Sequence, residues 1–273
     1  MSPGLRKSAT LGVSAIALSL GWACSAQADV LQVNNLTFTN YSGTLTPGTK
    51  TNFSALGLAD WFRGPSAPNG DLVYIDSPGS ATSGSGGYPV AGPFPNPPPG
   101  GNFVQADGNP NYESTFDQTL TGLTPGHQYT LSFWQAAGQQ TNFLNATTEQ
   151  WIVSLGTSAT GLTITSLGSP STYTDADPNA SIAISPLMNT PQQGVSPWTQ
   201  VTVTLTADAA TDTLSFLAWG NSGDATQNDP PTVFLAGVNT PAPEPATLTL
   251  FGVGLAGLGV VARRRRAKRA DSV

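Results

Sequence analysis

Apolar side chains fall at every second position in several stretches of this sequence, and no stretch keeps a sustained helical period. Thr199-Gln200-Val201-Thr202-Val203-Thr204-Leu205 puts Val201, Val203 and Leu205 on one face and polar groups on the other. A period of two is compatible only with a strand that buries one face. Tyr129–Trp134, Trp151–Leu155, Thr213–Trp219 and Pro231–Val238 read the same way, and Val30–Phe38 and Asp71–Ile75 are two further strands. Turn residues such as Thr124-Pro125-Gly126 separate them. Many short strands with turns between them predict an all-β fold over residues 29–240, an antiparallel β-sandwich of the jelly-roll type. The stretch 78–101 is rich in Gly, Ser and Pro and is expected to be a long exposed loop. No internal repeat is evident.

Charge is sparse and uneven. Residues 29–240 hold two basic side chains, Lys50 and Arg63, against 14 acidic ones, a formal balance of −12. Two separated cations cannot neutralise a phosphate backbone, which excludes nucleic acid as a partner. One Cys and one His in 273 residues exclude an internal disulfide and a multi-Cys zinc site. They also leave His-based zinc or iron chemistry short of ligands.

The two ends differ from this body. Arg6 and Lys7 precede an apolar run, Leu11–Ala23, and Ala26-Gln27-Ala28 supplies small residues where signal peptidase reads. Residues 1–28 are therefore expected to be a signal peptide, with Ala26 and Ala28 at the cut and Asp29 as the mature start. Cys24 goes with the discarded segment. At the other end, Pro241-Ala242-Pro243-Glu244-Pro245 is a stiff, extended break. The uncharged run 246–262 follows, about 25 Å long as a helix and just short of a ~30 Å hydrocarbon core. A basic cluster over 263–269 begins with Arg263, Arg264, Arg265 and Arg266. The positive-inside rule places that cluster in the cytoplasm and the body outside the inner membrane.

The order Pro243-Glu244-Pro245, Gly-rich apolar span, Arg263–Arg266 resembles the PEP-CTERM sorting signal of Gram-negative bacteria. The resemblance implies an exosortase-type membrane protease as partner, cutting near Pro-Glu-Pro after transient anchoring in the inner membrane. It also implies delivery to the cell surface or the extracellular matrix, with exopolysaccharide as an expected associate. A plain C-terminal membrane anchor is the alternative, with the same topology. Within the body, Phe103-Val104-Gln105, Phe116–Phe133, Trp198–Val203 and Thr213–Phe216 are similar to the central hairpin and following strands of carbohydrate-binding-module-like, galactose-binding-like jelly rolls. Where the last strand of such modules often carries an Asp pair, this chain has Ala236-Gly237.

The body offers little catalytic chemistry. Gly220-Asn221-Ser222-Gly223-Asp224 superficially matches a serine-nucleophile loop, but a serine needs a base, and the one His, His127, sits in a predicted turn. The carboxylates could supply a glycosidase pair, yet no spacing selects two of them. The chain is expected not to be an enzyme, with a secreted glycan hydrolase as the weaker alternative. No cofactor is required. Calcium is the one metal left open, at Asp175, Asp177 and Asn179, whose alternate oxygens match the opening of a calcium loop; Asp107 and Asn109 form a second such pair. For sugar, whose C–H faces stack on aromatic rings, Trp61, Tyr112, Glu113 and Trp151 are the candidates, lying among polar neighbours. Trp134 and Trp219 lie in apolar strands and are expected in the core. The expected function is a non-catalytic structural or adhesive surface protein, or else a carbohydrate-binding module with a defined glycan ligand.

Overall fold

The computed structural model describes residues 28–64, 72–109, 112, 115–157, 162–166, 172–221 and 230–239. In chain order the elements are β1 (Asp29–Val30), β2 (Lys50–Asn52), α1 (Phe53–Leu56), β3 (Phe62–Arg63), β4 (Val73–Asp76) and β5 (Phe103–Asp107). There follow β6 (Thr115–Thr121), β7 (Gln128–Gln139), β8 (Thr147–Gly156), β9 (Leu162–Ser166) and β10 (Thr172–Asp175). The last are β11 (Ser181–Ile184), β12 (Met188–Thr190), β13 (Val195–Thr206), β14 (Thr211–Asn221) and β15 (Pro231–Ala236).

These strands form two packed sheets, so the all-β expectation holds. The first sheet is built on β7. β13 lies antiparallel along one edge of it, with Thr206 opposite Gln128 and Val195 opposite Gly138. β15 takes the other edge, from Ala236 opposite Trp134 to Pro231 opposite Gln139. Past the end of β15, β1 runs parallel to β7, with Asp29 beside Tyr129. β5, β4 and β2 continue outward from β15. The second sheet has the order β11-β8-β14-β6-β3, with β12 also on β8, and β9 and β10 form a separate hairpin.

Alternation decides which side chains meet between the sheets. Leu131 and Phe133 of β7, Val201, Val203 and Leu205 of β13, and Val233 and Leu235 of β15 face Phe116, Trp151, Val153, Leu214 and Phe216. The centre is aromatic. Phe116 and Phe216 stack at 5.1 Å, nearly parallel, and Trp151 meets Phe116 edge-on at 5.6 Å.

Two expectations fail locally. Val30–Phe38 is a strand only at its first residue, because Asn35 turns the chain: its Oδ1 accepts from the N–H groups of Thr39 and Asn40, and its φ is +49°. The segment 78–101 is not a free loop. Ala81 and Val90 are buried, and with Phe94 they pack on Phe103, Phe234 and Ala136, the outer face of the first sheet. Phe94 lies 4.3 Å from Phe234 between ring centroids. Gly and Pro let the backbone lie flat, so few apolar side chains suffice. At Gly86, with φ +88°, a Cβ would stand 1.8 Å from the Lys50 carbonyl oxygen.

Lys50 pins this roof. Its Nζ donates to the carbonyls of Ala81 at 3.1 Å and Tyr88 at 2.8 Å and to Gln105 Oε1 at 2.6 Å, and it stands 3.5 Å from Asp76. Burial lowers the Lys50 pKa and raises that of Asp76 to about 6, so desolvation outweighs the attraction within the pair. The pair therefore acts by position more than by net stabilisation. Lys50→Met would leave Asp76 unpaired and free two carbonyls; a loss of about 3–5 kcal/mol is expected in chemical denaturation. Limited proteolysis should then cut within 77–102 of the native variant, and a variant cut no faster there than the parent would place the pin elsewhere.

Candidate functional site

The sequence-expected sugar contacts do not come together. Trp61 is 4% exposed and Trp151 fully buried. Trp61 Nε1 donates to the carbonyls of Asn34 and Asn35, and Trp151 Nε1 to that of Phe234. Both rings belong to the aromatic core, so neither presents a face to a ligand; the polar neighbours of Trp61 in sequence do not set its burial. Tyr112 is half-buried and Glu113 lies outside the described residues. Asp175, Asp177 and Asn179 form two successive Asx turns: Asp175 Oδ1 accepts from the Asp177 N–H and Asp177 Oδ1 from the Asn179 N–H, each at 2.9 Å. Asp177 Oδ2 accepts from Thr157 N–H and Oγ1, both at 2.7 Å, and these bonds hold its carboxyl below the usual range. Among the described residues no group of three or more His, Cys, Asp or Glu could hold a metal ion.

The one His, His127, sits in the turn beside the start of β14, its carbonyl bonded by Ala207 N–H and its ring by Asp29 at 3.1 Å. Ser222, the serine of the Gly220–Asp224 stretch, lies outside the described residues.

The open aromatic surface is elsewhere. The roof covers the β15–β5–β4–β2 half of the first sheet and the outer face of β7 at Ala136 and Gly138, and leaves the outer face of β7 from Thr130 to Trp134, with β13 beside it, uncovered. There Thr130, Ser132 and Trp134 of β7 stand opposite Thr204, Thr202 and Gln200 of β13. All six are half-buried or exposed. The strip is about 14 Å long at strand spacing. A register shift between Ser196 and Thr199 re-aims Trp198, which packs against Phe94 and Phe103 and donates from Nε1 to the Pro95 carbonyl at 2.8 Å. Two half-buried indoles thus close one end of a floor of hydroxyls and an amide. Alternation had the information to find Trp134: Leu131 and Phe133 face inward, so Trp134 must face outward.

The chain leaves the body beside this strip. Asn239 N–H donates to the Ser132 carbonyl at 2.6 Å, and Asn239 Oδ1 accepts from the Ser132 N–H at 3.0 Å. Asn239 Nδ2 bonds the Leu31 carbonyl. The segment just after β1 and the end of the described body are thereby joined at one corner. Among the described residues no helix is long and apolar enough to cross a membrane. Residues 1–27, and with them Ala26, lie outside the described residues, as do Pro243, Glu244, Pro245, the run 246–262 and Arg263–Arg266.

The molecule is an all-β sandwich with a sorting segment behind it. Residues 241–266 match the PEP-CTERM protein-sorting motif, which indicates export and membrane-anchored sorting to the cell surface. No curated protein matches the chain. Solved structures similar to it include the K1 cleaved adhesin domain of Lys-gingipain from Porphyromonas gingivalis, at 16% identity and a TM-score of 0.34 over 69% of this chain and 94% of that one. A putative sugar binding protein from Bacteroides thetaiotaomicron is similar at 15% identity and a TM-score of 0.35, over 78% of this chain and 98% of that one. A carbohydrate-binding module specific for non-crystalline cellulose is similar at 10% identity and a TM-score of 0.33, over 73% and 95%. At such distances these likenesses assign no ligand to this chain.

Buried carboxylates are the main electrostatic feature of the body. Burial pushes Asp107, Asp117 and Glu149 each up to about 7. Asp107 lies on the outer face of the first sheet and Asp117 on the outer face of the second. Glu149 faces inward, accepting from Thr190 Oγ1 at 2.6 Å. The three occupy three different faces and form no common acid–base pair. In the unfolded chain such groups titrate near pH 4. The folded state holds protons that the unfolded state has released, so their contribution is full below about pH 4 and is lost as pH rises towards about 7. The melting temperature should therefore fall between pH 5 and pH 8. Asp117→Asn should raise it at pH 8 and flatten the slope, whereas a melting temperature that climbs across this window would contradict the assignment.

Proposed function

We propose that this is a non-catalytic structural or adhesive protein of the cell surface or extracellular matrix, which holds exopolysaccharide along the β7–β13 strip. The observation that carries this reading is the strip itself: Trp134 and Trp198 at one end, and Ser132, Thr202 and Gln200 along the floor. Sugar C–H faces stack on indoles, while hydroxyls and amides exchange hydrogen bonds with sugar hydroxyls. A shallow open strip with no carboxylate pair binds without turning over. Signal peptidase would cut after Ala28, and β1 begins at the next residue, Asp29. An exosortase-type protease would then act near Pro243-Glu244-Pro245, with 246–262 as the inner-membrane span and 263–269 in the cytoplasm.

Affinity electrophoresis of the processed protein in gels containing host exopolysaccharide tests the strip. Retardation is expected, with the apparent dissociation constant weakened about tenfold, or roughly 1.4 kcal/mol, by Trp134→Ala. Trp198→Ala should act alike, and undiminished retardation in both variants would rule the strip out. Intact mass of the native protein tests the sorting route. A species running from Asp29 to near Pro245, found outside the cell only when the sorting protease is present, is expected. A form that keeps Arg263–Arg266 in the inner membrane regardless of the protease would make the protein an anchored periplasmic one.

A further inference from the structure

The charge around the strip limits which polymer it can hold. Only two side chains between residues 29 and 240 are cationic, and this count covers every residue of the body. Lys50 is 2% exposed under the roof, engaged by Ala81, Tyr88, Gln105 and Asp76. Arg63 lies on β3, at the edge of the other sheet, paired with β6. The floor of the strip is uncharged. Its open end carries the exposed carboxylate of Asp29, whose Oδ2 stands 3.1 Å from His127 Nε2. The six basic side chains of the C-terminal cluster lie beyond the sorting motif, on the far side of the expected cut. A bound carboxylate or sulfate needs a charge-assisted donor, usually Arg or Lys, and no side chain of the strip's floor supplies one; the α-amino group freed at Asp29 by processing stands beside that residue's own carboxylate. The exposed carboxylates among the body's fourteen acidic groups add a repulsive field that screening over about 8 Å reduces but does not reverse.

We infer that the strip takes an uncharged glycan chain and rejects acidic polysaccharide. This rests on the strip being the glycan site. Recognition is then by stacking and neutral hydrogen bonds, so it is indifferent to ionic strength. The chemistry assigns the protein to the neutral component of the matrix that its host secretes.

The experiment uses the processed protein from its host and the host's exopolysaccharide, separated by anion exchange into neutral and uronate-bearing fractions. Each fraction is tested by affinity electrophoresis at low and high salt, with EDTA and with added calcium chloride. The neutral fraction is expected to retard the protein equally, within about twofold, at both salt concentrations. Trp134→Ala should weaken that binding about tenfold, and the acidic fraction should give no retardation in any condition. After carboxyl reduction, the formerly acidic fraction should bind. Retardation by the native acidic fraction, with or without calcium, that is lost in Trp134→Ala would overturn the inference and leave the strip standing. Retardation by no fraction, or retardation of wild type and Trp134→Ala alike, would overturn both.

Discussion

The position of one buried cation decides which part of the first sheet is available. Lys50 stands opposite Asp76 on neighbouring strands, and its ammonium reaches two carbonyls of the segment above. Those bonds hold residues 77–102 flat over Phe103 and Phe234. The same outer face would otherwise present a continuous aromatic surface from Trp134 to Tyr74. With the roof in place, the stretch of β7 from Thr130 to Trp134 and the facing residues of β13 stay open. A chain with two cations in its body uses one of them for this single purpose, where a neutral donor could not satisfy three acceptors and a carboxylate together.

The strands were legible because alternation is a direct consequence of burying one face. The registers of β13, β14 and β15 confirm the stretches read from Val201, Phe216 and Phe234. What one sequence could not reveal is which partner covers a given face. Trp61 looks exposed beside Asp60 and Arg63, yet the carbonyls of Asn34 and Asn35 satisfy its indole N–H and let it enter the core. Trp134 looks buried among apolar neighbours, yet it faces outward where the roof ends. Segment 78–101 has the composition of a solvated loop, and its burial depends on the long-range contact with Lys50, which no local pattern encodes.

The buried carboxylates fit the same economy of charge. Asp117 lies in a row with Ser215 and Ser154, its partners across β14 and β8, and Thr115 Oγ1 donates to its Oδ2 at 3.1 Å. Without nearby cations, such groups are held mainly as neutral acids and donors through the mildly acidic range. They then behave as hydrogen-bonding elements of the sandwich, while the exposed carboxylates set the surface charge.

The corner at Asn239 connects the body to its sorting segment. Asn239 adopts φ +53°, which Asn tolerates better than most residues, and bonds both Ser132 and Leu31. Three residues lie between it and Pro243, so across four Cα–Cα steps the Pro-Glu-Pro element begins at most about 14 Å from Asn239. In the proposed topology the span begins at residue 246, at most about 25 Å along the chain from Asn239, so the corner carrying Asn239 is the part of the body tethered nearest the membrane until the protease acts. Ser132 lies at the middle of the strip's floor, so the strip and the exit towards the sorting segment share one corner of the body, and in the proposed topology both stay close to the membrane during anchoring.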